Sequence, residues 1–244
     1  MIGYAAFSEF YDEFMENVEY NKRADYIFSL FEKFDRKPSL LLDVACGTGE
    51  FSKEFINKNI DVIGTDISPE MLNIAREKCP ETLFLLQSAE ELDLFGTVDG
   101  AVCLMDSLNH IVEFENFKKA IAKISLFLEP ERLFIFDVNT PYKHKEILGD
   151  NAFVLENENV FCTWQNQTDE NLLTEISLDF FCLKENGDYE RTCDDFSERA
   201  YTIEQIEEAL VEAGLEIIKI YDDLSFSEPK EDSQRVYYIT KKVK

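Results

Sequence analysis

Positive charge is scarce in this sequence. Its 244 residues contain 24 lysines and arginines against 50 aspartates and glutamates, for a formal net charge of -26. Proteins that bind nucleic acid draw much of their affinity from basic side chains that displace counterions from phosphates, and anionic lipid surfaces attract basic segments in the same way. We therefore expect neither a nucleic acid nor a membrane as a partner.

Residues that interrupt or cross-link a chain are few as well. Nine glycines and six prolines are too few for a linker-rich chain, whereas 45% apolar residues suffice for a core. The six cysteines have no paired spacing and only two histidines are present, so we expect reduced thiols, no metal site and a cytoplasmic protein. Apolar runs such as residues 83–86 are far too short to cross a membrane.

Strand and helix patterns alternate up to about residue 140. Strands are predicted at residues 40–45, 61–65, 83–86, 98–104 and 133–138. Helices are predicted at residues 8–34, 50–56, 69–75 and 114–128, with Pro130 ending the last of them. This alternation predicts a mostly parallel sheet that is covered by helices on both faces.

The pattern changes near residue 150. Residues 172–180 alternate apolar and polar side chains, and Asn186-Gly187 is typical of a hairpin turn. We predict an antiparallel β insertion over residues 150–199, after which a capped helix from Thr202 and two closing strands resume the α/β pattern.

The glycine turn after the first predicted strand is the most informative segment. Gly47-Thr48-Gly49 lets a ligand approach the backbone at the carboxyl end of a strand, where open α/β sheets bind their ligands. Asp66 ends the next strand, and a carboxylate there can accept both hydroxyls of a ribose. Alternatively, the turn is only a tight junction and Asp66 caps a helix, although Ser68 before Pro69 already suits that position.

The two segments that carry this pattern resemble a known family. Residues 42–49 (LDVACGTG) and 64–72 (GTDISPEML) are similar to motif I and the following acidic motif of class I S-adenosylmethionine-dependent methyltransferases. The resemblance implies an α/β, Rossmann-like, doubly wound sheet of seven strands, mostly parallel with the last strand antiparallel, beside the β insertion. It implies S-adenosyl-L-methionine as cofactor and methyl transfer to N or O of a small-molecule acceptor.

Three other functions remain open. One is an NAD(P)-dependent oxidoreductase on the same fold, although Ser52 stands where the dinucleotide pattern G-x-G-x-x-G has its third glycine. Another is a non-catalytic regulatory module that binds S-adenosylmethionine. The third is a protein or RNA methyltransferase: the net charge disfavours RNA, but a basic protein remains open as the acceptor.

The resemblance also implies which residues contact the cofactor. They are Ala45, Gly47 and Gly49 at the methionine portion, Asp66 at the ribose, Ile67 and Met71 at the adenine, Ser88, Ala89 and Glu90 in the loop after the third strand, Leu104 after the fourth, and Tyr11 and Tyr20 in an N-terminal helical lid. The aromatic side chains of the lid could instead pack on the core. We expect one domain over residues 1–244, with the lid at 1–37, the core at 38–149 and 200–244, and the insertion at 150–199 near the acceptor site.

The acceptor is expected beyond the fourth strand. Asp106 and His110 are four residues apart, so on a helix they share one face, as acceptor binder and general base. Alternatively, Asp106 or Ser107 caps the helix and His110 packs in the core; His144 is a further candidate base. The acidic composition favours a neutral or cationic acceptor, and the insertion could form the face of a homodimer.

Overall fold

The structure is a computed structural model that describes residues 19–184 and 186–243. The helices are α1 (Tyr20–Lys33), α2 (Glu50–Asn57), α3 (Pro69–Lys78), α4 (Phe114–Phe127) and α5 (Ile203–Glu212). Short helical turns cover Ala89–Glu91 and Ser107–His110, and a π-helical turn covers Lys143–Leu148. Tyr11 and the first part of the helix predicted at 8–34 lie outside the described residues. No helix in the described ranges is long and apolar enough to cross a membrane.

Within residues 19–184 and 186–243, eleven strands form two sheets. They are β1 (Leu40–Val44), β2 (Asp61–Asp66), β3 (Leu83–Leu86), β4 (Val98–Cys103), β5 (Leu128–Asn139), β6 (Ala152–Glu156), β7 (Val160–Thr168), β8 (Leu173–Leu183), β9 (Tyr189–Arg199), β10 (Leu215–Asp222) and β11 (Arg235–Lys242). The larger sheet has the order β10-β11-β5-β4-β1-β2-β3, and the smaller has the order β6-β7-β8-β9.

The seven-stranded sheet has the predicted topology. Strand β11 is antiparallel to both of its neighbours, and the pairs β1–β2, β1–β4, β2–β3 and β4–β5 are parallel. The chain moves outward from β1 to β3 and returns on the other side at β4, so the order reverses between β1 and β4. Open α/β sheets bind ligands outside the carboxyl ends of their strands at such a reversal. The predicted fold class is confirmed.

Both faces of the sheet are covered because successive strand residues point in opposite directions. Along β5, Phe134 and Phe136 pack in the cluster that includes α4 and α5. Leu133 and Ile135 pack on the other face, in the cluster that includes α1 and α2. This two-sided burial explains why the central strands are almost continuously apolar.

Strand β5 begins earlier than the sequence indicates. The helix ends at Phe127, as its pattern predicts, but the strand starts at Leu128 and contains Pro130. The register with β4 shifts from Val98↔Leu128 to Gly100↔Leu133, so this strand bulges around its proline. Pro130, which the sequence pattern predicts to end the helix, therefore lies inside the following strand.

The β insertion folds as a four-stranded antiparallel sheet with its own small core. Buried Asn109 connects the end of this sheet to the larger one. Its side-chain amide donates to the carbonyls of Arg199 at 2.8 Å and Asn139 at 3.2 Å, and its oxygen accepts from the Asn139 backbone N–H at 3.0 Å. The ends of β5 and β9 are thereby held against the turn that follows β4.

Gly64 in β2 provides a test of this packing. An added Cβ would lie 2.5 Å from two ring atoms of Phe84 and 2.9 Å from Cys46 Sγ. We expect Gly64→Ala to lower the free energy of unfolding in urea by about 1–3 kcal/mol, because the rigid ring has to move. Gly96→Ala is the control, since a Cβ there meets nothing within 4 Å. Equal changes in the two variants would contradict the packing.

Candidate active site

The glycine turn between β1 and α2 has two glycines with different functions. Ala45, Gly47 and Gly49 all adopt positive φ, at 55°, 54° and 78°. A Cβ on Gly47 would meet nothing within 4 Å, so its backbone faces open space. A Cβ on Gly49 would lie 3.0 Å from the Cβ of Ala75, so Gly49 permits close packing of α3. Gly49 lines neither of the two cavities beside the turn.

Asp66 fixes the turn from the end of β2. Its carboxylate accepts hydrogen bonds from the backbone N–H of Gly47 at 2.9 Å and of Ser68 at 2.8 Å. Burial raises the pKa of the Asp66 carboxyl, and these two N–H groups counteract part of that rise. Ser68 Oγ accepts from Met71 N at 3.2 Å and caps α3, so the Asp66 carboxylate is not that cap. Each of its oxygens keeps capacity for a further donor.

A cavity of about 330 Å³ lies beyond the carboxyl ends of β1, β2, β3 and β4. Nine of the residues predicted for cofactor or acceptor line it: Ala45, Gly47, Asp66, Ile67, Met71, Ser88, Ala89, Glu90 and His110. Leu108, Ile111 and Val112 add apolar walls that the sequence did not single out. A larger cavity of about 650 Å³ lies beyond β5, and no predicted site residue that the structure describes lines it.

A smaller cavity of about 40 Å³ lies on the other side of the glycine turn. Ala45 and Gly47 line both cavities, and the predicted residues Tyr20 and Leu104 line the smaller one. The Tyr20 ring packs edge-on against Phe51, with 5.1 Å between ring centroids. The start of α1 therefore reaches the methionine side of the predicted site.

Asp43 in β1 also lines the smaller cavity, and the sequence analysis missed it. Its carboxylate is 2% exposed and accepts a hydrogen bond from Ser52 Oγ at 2.6 Å. Burial raises the pKa of the Asp43 carboxyl to about 7, although the Ser52 bond lowers it and nearby Asp66 raises it further. The sequence signal that could have identified Asp43 is a single carboxylate inside an otherwise apolar strand. The partner of Asp43 is Ser52, which stands where the dinucleotide pattern has its third glycine.

Asp106 lies deeper than the adjoining His110. Its carboxylate accepts from Arg235 Nη2 at 2.5 Å and from Asn139 Nδ2 at 2.7 Å. Burial alone would raise the pKa of this carboxyl, but Arg235 and Lys143 outweigh burial and hold the pKa well below its usual range. Asp106 makes no side-chain cap to the turn at Ser107–His110, and Ser107 Oγ donates to the carbonyl of Leu104 at 2.7 Å.

Glu198, on strand β9 of the insertion, completes this side of the site. Its Oε1 lies 3.6 Å from His110 Nε2, and one donor atom each of Asp106, His110 and Glu198 lies within 4.8 Å of the other two. Burial raises the pKa of the Glu198 carboxyl, an effect that His110 opposes. We call these three residues the acceptor-side cluster. Glu198 was not predicted, because the pattern of β9 does not distinguish it from other exposed-looking acids.

Comparison with known proteins agrees with this geometry. A family model described as a methyltransferase domain matches residues 41–131. The chain is 30% identical to the putative methyltransferase YqeM of Bacillus subtilis (strain 168) over 247 residues, which are 99% of this chain and 98% of that protein. It is 28% identical over 132 residues, 54% of each chain, to a dTDP-3-amino-3,4,6-trideoxy-alpha-D-glucopyranose N,N-dimethyltransferase of Streptomyces venezuelae.

A solved structure is similar over nearly the whole chain. The crystal structure of an S-adenosylmethionine-dependent methyltransferase from Clostridium acetobutylicum ATCC 824 has 30% sequence identity and a TM-score of 0.89, over 98% of both chains. The full-length relatives, the family model and the cavity at the sheet reversal lead to one conclusion. The chain belongs to the class I S-adenosylmethionine-dependent methyltransferases, and it is an enzyme.

Proposed function

We propose that this methyltransferase acts on a nitrogen or oxygen atom of a small-molecule acceptor that lies between the glycine turn and the acceptor-side cluster. The observation that carries the proposal is that Asp66 and His110, from different strand ends, line one cavity. One end of a nucleoside bound by Asp66 would then lie beside His110, a side chain that can accept a proton from the acceptor.

The residues of the cavity fit S-adenosylmethionine. The open space at Gly47 admits the methionine portion close to the backbone, and Asp66 keeps acceptor capacity for ribose hydroxyls. Ile67 and buried Met71 offer apolar surface to a heteroaromatic base. Asp43 places a carboxylate in the smaller cavity, where it would face the cationic methionine portion.

When bound, the cofactor supplies a methyl group on a good leaving group, so the chain has little covalent chemistry to perform. Holding the acceptor in line with the methyl group gives most of the acceleration, and effective molarity of this kind is worth about 7–11 kcal/mol. His110 stands at the cavity wall and can take the proton of an acceptor that arrives protonated. Asp106 and Glu198 place two carboxyl groups beside His110, which favours a neutral or cationic acceptor over an anionic one.

The similar proteins support a small acceptor. The Streptomyces venezuelae relative is named as an N,N-dimethyltransferase of an amino sugar nucleotide, which favours nitrogen as the methylated atom. The net charge of -26 disfavours nucleic acid as the acceptor. In this proposal the β insertion frames the acceptor side through Glu198, and the start of α1 borders the methionine side through Tyr20.

The ribose contact is tested by Asp66→Ala. Loss of hydrogen bonds to a carboxylate costs about 1.5–3 kcal/mol, so the dissociation constant of S-adenosylhomocysteine should rise about tenfold to a hundredfold in calorimetry. Asp61→Ala, at the exposed start of the same strand, should leave the affinity unchanged. Wild-type affinity in the Asp66 variant would refute the contact.

Proton release tests the position of Asp43. With its pKa at about 7, the carboxyl is about half protonated at pH 7 in the cofactor-free protein. A cation beside it favours the ionised form, so binding should release up to about half a proton at pH 7. Calorimetric titrations of S-adenosylhomocysteine in phosphate and in Tris should therefore give different heats.

The variant Asp43→Asn keeps an acceptor for Ser52 but cannot ionise, so the difference between buffers should shrink. Asp61→Asn is the matched control and should behave as the wild type. An undiminished difference in Asp43→Asn would show that another group releases the proton.

A further inference from the structure

Three of the four outer strands of the two described sheets carry protection against pairing with another chain. Proteins protect such edges with short strands, charged side chains, bulges or a covering group. Strand β3 has only four residues, and Arg76 Nη2 donates to the carbonyl of Phe84 within it at 3.2 Å. Strand β10 bulges between Ile217 and Lys219, and six of the eleven residues of β9 are charged.

Strand β6 is the fourth outer strand, and it is unprotected. Its five residues (AFVLE) include no lysine or proline, and only the last of them is charged. The register with β7 runs without a bulge from Ala152↔Gln165 to Glu156↔Phe161. In the described part of the chain β6 pairs only with β7, and Val154 and Leu155 are 60% and 39% exposed. An uncharged, regular strand edge therefore faces solvent.

The hydrogen bonds at both ends of β6 show which of its backbone groups are directed outward. The carbonyl of Asn151 accepts from the N–H of Asn166 at 3.0 Å, and the N–H of Asn157 donates to the carbonyl of Val160 at 2.9 Å. Because bonded and non-bonded residues alternate along an antiparallel pair, the odd-numbered residues of β6 bond to β7. The N–H and C=O groups of the other three point away from β7: Ala152, Val154 and Glu156.

We propose that β6 pairs with β6 of a second copy of this chain, antiparallel and about a two-fold axis that passes beside Val154. The two four-stranded sheets then join into one sheet of eight strands. In this register Val154 and the partner's Val154 exchange both backbone hydrogen bonds, and Ala152 does the same with the partner's Glu156. All three outward N–H groups of each copy gain an acceptor.

The side chains of β6 suit a second copy because they complement themselves in this register. Phe153 lies opposite the partner's Leu155 on one face of the joined sheet, and the two valines meet on the other face. The only charged residue, Glu156, lies opposite an alanine, so like charges do not face each other. Phe153 already packs edge-on against Trp164, with 5.7 Å between ring centroids, so the partner's Leu155 extends an apolar row.

Net charge and interface size determine how tightly the copies associate. Each copy carries a formal charge of -26, so the two copies repel each other and salt should strengthen the dimer by screening this repulsion. An edge of five residues is small for a protein interface, so we expect a dissociation constant in the micromolar range. The pairing does not depend on methyl transfer, and its failure would leave the proposed function unchanged.

The test compares the full-length protein at about 2 µM and about 200 µM in about 0.3 M sodium chloride, a salt concentration that screens the surface charges. Sedimentation velocity should show a monomer at the lower concentration and a dimer at the higher one. Hydrogen exchange followed by mass spectrometry should slow in the segment 151–157 at the higher concentration only, because its outward N–H groups become bonded.

Two variants disrupt the edge in different ways. Val154→Glu places two carboxylates opposite each other at the two-fold axis and should raise the dissociation constant of the dimer about tenfold or more. Val211→Glu, at a valine of α5 that is 73% exposed, makes the same change of charge and should leave association as in the wild type. Val154→Pro removes only an outward N–H, so it should keep the pairing with β7 and also weaken the dimer.

Three results would overturn the proposal. A wild-type chain that stays monomeric at about 200 µM would leave this edge to a strand of a different protein. A dimer whose segment 151–157 exchanges at an unchanged rate would be formed by another surface. Equal weakening by Val154→Glu and Val211→Glu would show an effect of net charge alone. The wild-type measurements decide the matter even if a variant fails to fold.

Discussion

The acceptor side of this enzyme depends on one buried carboxylate, that of Asp137 in β5. It accepts from the backbone N–H groups of Met105 at 2.8 Å and Asp106 at 3.0 Å, and it pairs with Arg235 of β11. Met105 and Asp106 both have positive φ, a conformation that costs non-glycine residues about 1–3 kcal/mol and persists only where the surroundings impose it. Asp137 imposes it, so the chain reverses after β4 and brings His110 to the cavity.

Buried carboxylates organise both sides of the site, and the negative charge of each is stabilised by different partners. Asp66 is compensated by backbone N–H groups, which leaves its oxygens available to a ligand. Asp43 accepts a hydrogen bond from Ser52, and burial raises its pKa to about 7, so a proton or a nearby cation would balance its charge. On the acceptor side Arg235 pairs with both Asp106 and Asp137. The two sides meet at the reversal of the sheet, where the proposed function places the cofactor on one side and the acceptor on the other.

The sequence predicts the part of this structure that rests on local patterns. The apolar strands, the glycine turn and the capped helices are each encoded within about ten residues, and the predicted sheet is the observed one. Strand β5 starts inside a stretch that looks helical, because pairing with β4 outweighs local preference there. Glu198 and Arg235 could not be predicted: Arg235 is 129 residues from Asp106 in the chain, and only the folded sheets bring them together.

The most direct measurement is a crystal structure with S-adenosylhomocysteine. The account predicts that both ribose hydroxyls donate to the Asp66 carboxylate, that the adenine lies between Ile67 and Met71, and that the sulfur points toward His110. A nucleoside bound in the larger cavity beyond β5, or a sulfur directed away from His110, would contradict it.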